Sequence, residues 1–145
     1  MGELTPVWPD APRRVPGLRL PPYRFLPGVH ARPGHDHVQM ADPFDSGVDL
    51  YHLGYLWEAH EAWEAVFREV DGAERHFIQG LVQIAAAGIK RHLGNERGVD
   101  KLVAKSCAHL EQARPRCYGV DVSDLIAQLE AWHRDGGRAP RIEAK

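Results

Sequence analysis

The placement of proline most limits what this chain can fold into. Nine of its 11 prolines lie between Pro6 and Pro43. A proline inside a helix removes a backbone hydrogen bond and clashes with the preceding turn. We therefore predict an irregular, Pro-rich N-terminal arm over residues 1–44. The arm also contains large apolar residues, so we expect it to pack on the body of the protein; these residues are Trp8, Tyr23, Phe25 and Leu26.

The chain after residue 44 is predicted to be helical. Apolar residues recur at helical spacing, and glycine or proline interrupts the pattern at intervals. Ser123 is the expected cap of the last helix and Asn95 of the helix before it. Five helices are expected: a short one that Asp45-Ser46 caps and that ends at Leu53, then helices at about 56–70, 73–93, 97–113 and 124–133.

No segment shows the alternation of a strand, so the predicted fold is all-α. We expect a compact bundle of about five helices in a domain over residues 45–135, followed by a flexible C-terminal tail over residues 136–145. The helix at 73–93 is the expected centre of the bundle. Its segment 80–88 consists almost entirely of small and apolar residues, which permit close contact with neighbouring helices.

The composition argues against several classes of partner and location. The 18 basic and 20 acidic residues form no basic stripe, so we expect no nucleic-acid binding. The longest apolar run, residues 84–89, is too short to cross a membrane. The N-terminus has no apolar segment typical of a signal peptide. With Cys107 and Cys117 as the only cysteines, reduced thiols and a cytoplasmic location are expected.

The most informative segment for function is residues 57–67, which contains two tryptophans, a histidine and three glutamates. At helical spacing, one face carries a stripe formed by Leu53, Trp57, His60, Glu64 and Phe67. Since His60 and Glu64 lie between large apolar neighbours, we predict that both are at least half buried. A buried carboxylate needs a hydrogen-bond donor, a counter-charge or a metal ion.

Two known metal-site patterns fit this segment poorly. His60-Glu61-Ala62-Trp63-Glu64 is similar to the zinc-protease motif His-Glu-x-x-His with a glutamate in the second ligand position. A protease of that kind also needs a third ligand and a second lobe, which a small helical bundle does not offer. A di-iron bundle needs Glu-x-x-His on two helices, and only the segment 130–133 has that spacing.

Two interpretations of His60 and Glu64 stay open. In the first, they form a structural polar network, in which Glu64 accepts a hydrogen bond from Gln83 or from His60. Gln79, Gln83 or His76 on the central helix would then face them. In the second, His60 and Glu64 bind a divalent metal ion (Zn, Mn or Fe), with Glu61 and an arm histidine as further candidates.

The arm carries a second group of candidate metal ligands. His30, His35 and His37 lie close together in the sequence, with Asp36 between the last two. His-x-His with an adjacent aspartate is able to hold a divalent metal ion. On an irregular arm such a site would be weak and unselective, and a polar loop with incidental histidines is the favoured interpretation. If the arm folds over the His60 helix, His35 and His37 can complete a site with His60 and Glu64.

Three segments follow one another in the chain: Glu58-Ala59-His60-Glu61, Gln79-Gly80-Leu81-Val82-Gln83 and Gly94-Asn95. Together they resemble the DUF309 family of bacterial and archaeal proteins of unknown function. The resemblance implies an all-helical fold and gives a set of candidate functional residues: Glu58, His60, Glu61, Trp63, Glu64, Gln79 and Gln83. Metal binding in that family is suggested by its His-x-x-x-Glu motif. The family pattern has Trp or Tyr three residues after the motif glutamate, whereas this chain has Phe67 there.

Two hypotheses for function follow. The chain is either a helical interaction module that binds a protein partner or a second copy of itself, with an exposed face around Trp63 and the arm aromatics as anchors. Or it is a metal-binding, hydrolase-like protein that uses His60 and Glu64. The energetics of a buried polar pair favour the first hypothesis, and the sequence assigns no catalytic residue.

Overall fold

The computed structural model describes residues 2–30 and 41–143, and in these ranges it is an all-α bundle of five helices, as predicted. The elements are α1 (Pro43–His52), α2 (Leu56–Phe67), α3 (Gly72–His92), α4 (Glu96–Glu111), β1 (Arg116–Cys117), β2 (Val120–Asp121) and α5 (Val122–Asp135). Each helix packs on the next one along the chain, including α4 on α5, which the two short strands separate in sequence.

The strand pair is the one element that the sequence did not predict. β1 and β2 pair antiparallel, with Arg116 opposite Asp121 and Cys117 opposite Val120. The two residues of the turn, Tyr118 and Gly119, both have positive φ angles, 51° and 73°. Such a turn joins strands of a tight hairpin. Two-residue strands are too short to show an alternating pattern, so the sequence carries no signal for them.

The central helix is α3, as predicted. Phe77, Ile78, Leu81 and Ile84 have no exposed surface. Gly80 explains the close packing of α4 on α3, because a Cβ atom at this position would lie 2.7 Å from the Leu110 Cδ2 atom. The Ser106 hydroxyl also donates a hydrogen bond of 2.8 Å to the Gly80 carbonyl oxygen.

One of the predicted helix caps is present and two are not. The Asn95 side chain accepts a hydrogen bond from the Gly98 N–H at 2.9 Å, as expected for the start of α4. Asp121, not Ser123, caps α5 by accepting from the Asp124 N–H. Asp45-Ser46 does not cap α1, which begins at Pro43 instead. Pro fits the first turn of a helix because the backbone N–H that it lacks has no partner there.

The described part of the arm, residues 2–30, lies on α1 and α2. Asp49 of α1 is 1% exposed, and its carboxylate accepts hydrogen bonds from the backbone N–H groups of Arg14 (2.9 Å) and Val15 (2.8 Å). The N–H groups of Val7 and Trp8 donate to the His52 carbonyl oxygen. The last turn of α1 therefore binds the arm through the backbone N–H groups of the arm.

Residues 136–143, predicted to form a flexible tail, instead pack against α1. The Tyr51 hydroxyl donates a 2.6 Å hydrogen bond to the Pro140 carbonyl oxygen. Ile142 is 1% exposed, and its N–H donates to His52 Nε2 at 3.0 Å. The segment provides partners for two buried polar groups of α1, a role that its own composition does not reveal.

The close packing of Trp63 on α1 gives a stability prediction. A Cβ atom at Gly47 would lie 2.3 Å from Trp63 Nε1. We expect Gly47→Ala to lower the free energy of unfolding by about 2 kcal/mol, since overpacking outweighs the gain in helix propensity. Urea denaturation measures this change. Gly17→Ala is the control, because nothing lies within 4 Å of its Cβ position. A Gly47→Ala variant with an unchanged free energy of unfolding would contradict this packing.

His52 gives a pH dependence of stability. Burial, together with the charges of the nearby Arg14 and Arg141, lowers its pKa from an ordinary 6.5 to about 4. Between these pH values the unfolded chain binds a proton that the folded chain does not. His52 therefore costs stability as the pH falls from about 6.5 towards 4. We expect the loss from this group to be about 2 kcal/mol between pH 7 and pH 4.5.

The measurement is the urea midpoint of the wild type and of His52→Gln at both pH values. The glutamine side chain keeps a hydrogen-bond acceptor for the Ile142 N–H but does not titrate. The carboxylates contribute equally to both proteins, so the difference isolates His52. An equal change of the urea midpoint with pH in the two proteins would contradict the prediction.

Candidate functional site

The buried face of α2 is not the one that the sequence indicated. The side chains that pack in the core belong to Leu56, Ala59, Ala62, Trp63 and Val66. The predicted stripe of Leu53, Trp57, His60, Glu64 and Phe67 is half-buried or exposed. Both sets have helical spacing, and the small Ala59 and Ala62 let α2 approach its neighbours more closely than the larger stripe allows.

The position of Trp63 also differs from the prediction. The sequence interpretation placed it on an exposed face, but the side chain is fully buried, and its Nε1–H donates to the Phe44 carbonyl oxygen at 3.2 Å. Its position is explained by Gly47, which leaves room for the indole ring. Trp63 is thus a core residue and offers no surface to a partner.

His60 and Glu64 do pair with each other. His60 Nε2 lies 3.0 Å from Glu64 Oε1, across one turn of α2. The His60 side chain is 19% exposed and the Glu64 side chain 50% exposed, so the pair lies at the edge of the core. Of the two side chains predicted to donate to Glu64, His60 lies within ion-pair distance of it, without the geometry of a hydrogen bond. His60 Nδ1 is buried and has no hydrogen-bond partner among the described residues.

The glutamines of α3 do not join this pair. Gln83 is buried, and its Oε1 atom has no hydrogen-bond partner in the part of the chain that the structure describes. Gln79 and His76 line a different cleft, near the α2–α3 connection, which includes neither His60 nor Glu64. The predicted His–Glu–Gln network therefore reduces to the His60–Glu64 pair.

The aromatic neighbour of His60 is Trp57 of α2, which in turn contacts aromatic side chains of the arm. The Trp57 ring stacks on His60 with centroids 5.0 Å apart and contacts Phe25 at 5.4 Å. Phe25 contacts His30 at 6.2 Å, and His30 contacts Tyr23 at 5.0 Å. We call these five residues the aromatic row. His30, a predicted metal ligand, uses its Nδ1 atom to accept a hydrogen bond from the Leu26 N–H.

Glu58 lies beside the aromatic row. Its Oε2 atom accepts a long hydrogen bond of 3.4 Å from the Phe25 N–H, whereas Oε1 is buried without a partner among the described residues. Burial is the main cause of the raised pKa of Glu58. The nearby Glu61 raises the pKa further, and Arg24 opposes the shift. Glu58 thus binds a proton more readily than an ordinary glutamate, while Glu61 itself is exposed.

The described residues supply His60 and Glu64 with no further ligand for a metal ion. In residues 2–30 and 41–143, no three His, Cys, Asp or Glu side chains are grouped closely enough to hold one. His35 and His37 lie outside the described residues. A metal site at His60 and Glu64 therefore starts from two ligands, one nitrogen and one oxygen, which is a donor set that zinc, manganese and iron accept.

Residues 44–102 match the model of a family described as a domain of unknown function, DUF309. This match confirms the resemblance that the three sequence segments indicated, and it covers α1, α2, α3 and the start of α4. No curated protein matches the chain. Among the described residues, none of the helices has the length and apolar character needed to span a membrane.

Proposed function

We propose that this chain, whose residues 44–102 form a DUF309 domain, is a helical protein-interaction module in which α2 supports an aromatic arm. The observation that carries the proposal is the aromatic row. Trp57 lies between Phe25 of the arm and His60 of the motif, and Glu58 accepts from the Phe25 backbone. Trp57 and Glu58 of α2 therefore contact an aromatic peptide segment, here a segment of the same chain.

The arm also exposes the apolar side chains that a partner can bind. Leu20 is 38% exposed, Tyr23 38% and Val29 50%. Within residues 2–30 and 41–143, these are three of the four large hydrophobic side chains that are exposed, and Tyr118 is the fourth. Exposed apolar groups that cluster in one segment are typical of interaction sites, and tyrosine is a frequent anchor residue.

In this proposal the His60–Glu64 pair positions the row. The contact of Nε2 with the Glu64 carboxylate restrains the imidazole ring, and the ring face supports Trp57. Trp57 in turn supports Phe25. The conformation of the arm between Tyr23 and His30 is then set before a partner binds, which reduces the entropy cost of binding.

Site-specific photo-crosslinking tests the proposal in cells that naturally make the protein. A benzoylphenylalanine residue replaces Tyr23 or Val29, and the same residue in place of Tyr118 is the matched control. We expect a crosslinked product of defined mass from positions 23 and 29 but not from 118. Trp57→Ala should reduce the yield several-fold, because the arm segment loses its support.

The mass of the product identifies the partner as a second copy or another protein. Products that are equal at all three positions, or absent from positions 23 and 29, would contradict an interaction surface on the arm. If Trp57→Ala left the crosslinking yield unchanged, partner binding by the arm would not depend on α2. That result would contradict the proposed supporting role of α2.

The second candidate function is divalent-metal binding at His60 and Glu64. The observation in its favour is that a nitrogen and an oxygen of the right type lie 3.0 Å apart, with the carboxylate half-exposed and so accessible to an ion. A bound zinc, manganese or iron ion would supply a Lewis acid for hydrolysis. In that case, the exposed Glu61 carboxylate is a candidate on α2 for holding a proton.

Elemental mass spectrometry of the purified, untagged protein tests this second function. The test variant is His60→Ala/Glu64→Ala, and the matched control is His133→Ala/Asp100→Ala, which removes another surface pair with an N–O distance of 2.7 Å. A metal site at His60 and Glu64 predicts one metal ion per chain fewer in the folded test variant than in the wild type and the control. Equal metal in all three proteins, or none after incubation with zinc, manganese and iron, would exclude it.

A further inference from the structure

A pair of histidines outside the motif lies in a cleft of about 300 Å³ at the end of the bundle. The cleft is formed where α2 ends, α3 begins and α4 ends. Its lining consists of Phe67, Gly72, Arg75, His76, Gln79 and His109. Neither the aromatic row nor the His60–Glu64 pair uses these side chains.

His76 and His109 direct the same type of nitrogen atom at each other. Their Nδ1 atoms lie 2.9 Å apart, with ring centroids at 5.1 Å and ring planes inclined at 33°. At this distance the two atoms share one proton, because one nitrogen donates a hydrogen bond that the other accepts. A metal ion is too large for the proton's position, but it can lie to one side of the line between the two Nδ1 atoms when both turn their lone pairs towards it.

The spacing of the two nitrogens fits a shared transition-metal ion. Metal–nitrogen bonds of about 2.0–2.1 Å place two neighbouring ligands roughly 2.9–3.4 Å apart, for bond angles between about 90° and 110°. The observed 2.9 Å falls at the lower end of this range.

The rest of the cleft determines which ions fit. Its lining contains no carboxylate or thiolate, and the Gln79 amide oxygen and water are the remaining ligands on offer. Imidazole nitrogen suits Cu²⁺, Ni²⁺ and Zn²⁺, whereas Mg²⁺ and Ca²⁺ require oxygen ligands. The Arg75 guanidinium lies 4.1 Å above the Phe67 ring, and its positive charge limits the affinity for a cation.

We propose that His76 and His109 together bind one divalent transition-metal ion, Cu²⁺, Ni²⁺ or Zn²⁺, in this cleft. The two histidines come from different helices, so a bound ion crosslinks the start of α3 to the end of α4. Such an ion binds the folded chain in preference to the unfolded one and therefore raises the unfolding temperature.

The test is calorimetric titration of the full chain with Zn²⁺ and Ni²⁺. Because His35 and His37 are also able to bind metal ions, their double alanine variant serves as the reference protein. In that reference we expect one ion per chain, with affinity weakened about tenfold or more after either His76→Ala or His109→Ala. His60→Ala/Glu64→Ala and His133→Ala/Asp100→Ala should leave the affinity unchanged.

Nitrogen NMR of the histidine rings keeps the test independent of variants that unfold. In the reference protein, saturating Zn²⁺ should shift the Nδ1 resonances of both His76 and His109. Unmoved resonances, or an affinity that either single variant retains, would overturn the proposal. A loss of binding confined to His60→Ala/Glu64→Ala would overturn it too and would favour the motif site instead.

Discussion

The position of the arm depends on one buried carboxylate. Asp49 lies in α1 with 1% exposure, and two backbone N–H groups of the arm donate to it. A carboxylate removed from water needs such donors, and Arg13, whose Nε lies 3.6 Å away, adds an opposite charge. Without this anchor, the prolines that prevent helix formation in the arm would leave it with few internal hydrogen bonds to hold it on the bundle.

The same helix also holds the other end of the described chain. His52 accepts from the Val7 and Trp8 N–H groups through its carbonyl oxygen, and from the Ile142 N–H through its ring. The N-terminal and C-terminal segments therefore meet at the last turn of α1, where Trp8 Nε1–H also donates to the Ala139 carbonyl oxygen. The aromatic row on α2 is a consequence of this anchoring, since it needs the arm to reach Trp57.

Local sequence signals were enough to predict the fold but not the site. Helical spacing of apolar residues, broken by proline and glycine, predicted the all-α bundle, and the small, apolar segment 80–88 predicted the central position of α3. The choice between two stripes on α2 depends on how closely neighbouring helices approach, which Ala59 and Gly47 decide through contacts far apart in sequence. Contacts between His76 and His109, 33 residues apart, or between Phe25 and Trp57, likewise have no local signal.

The surroundings of His60 support the proposed structural role of the motif over a role in acid–base catalysis. A catalytic base needs a ring nitrogen within hydrogen-bond reach of a substrate. His60 Nε2 faces Glu64, and Nδ1 is buried. One face of the ring is against Trp57. A substrate would have to displace Glu64 to reach Nε2. The ring supports Trp57 and the arm without any such rearrangement.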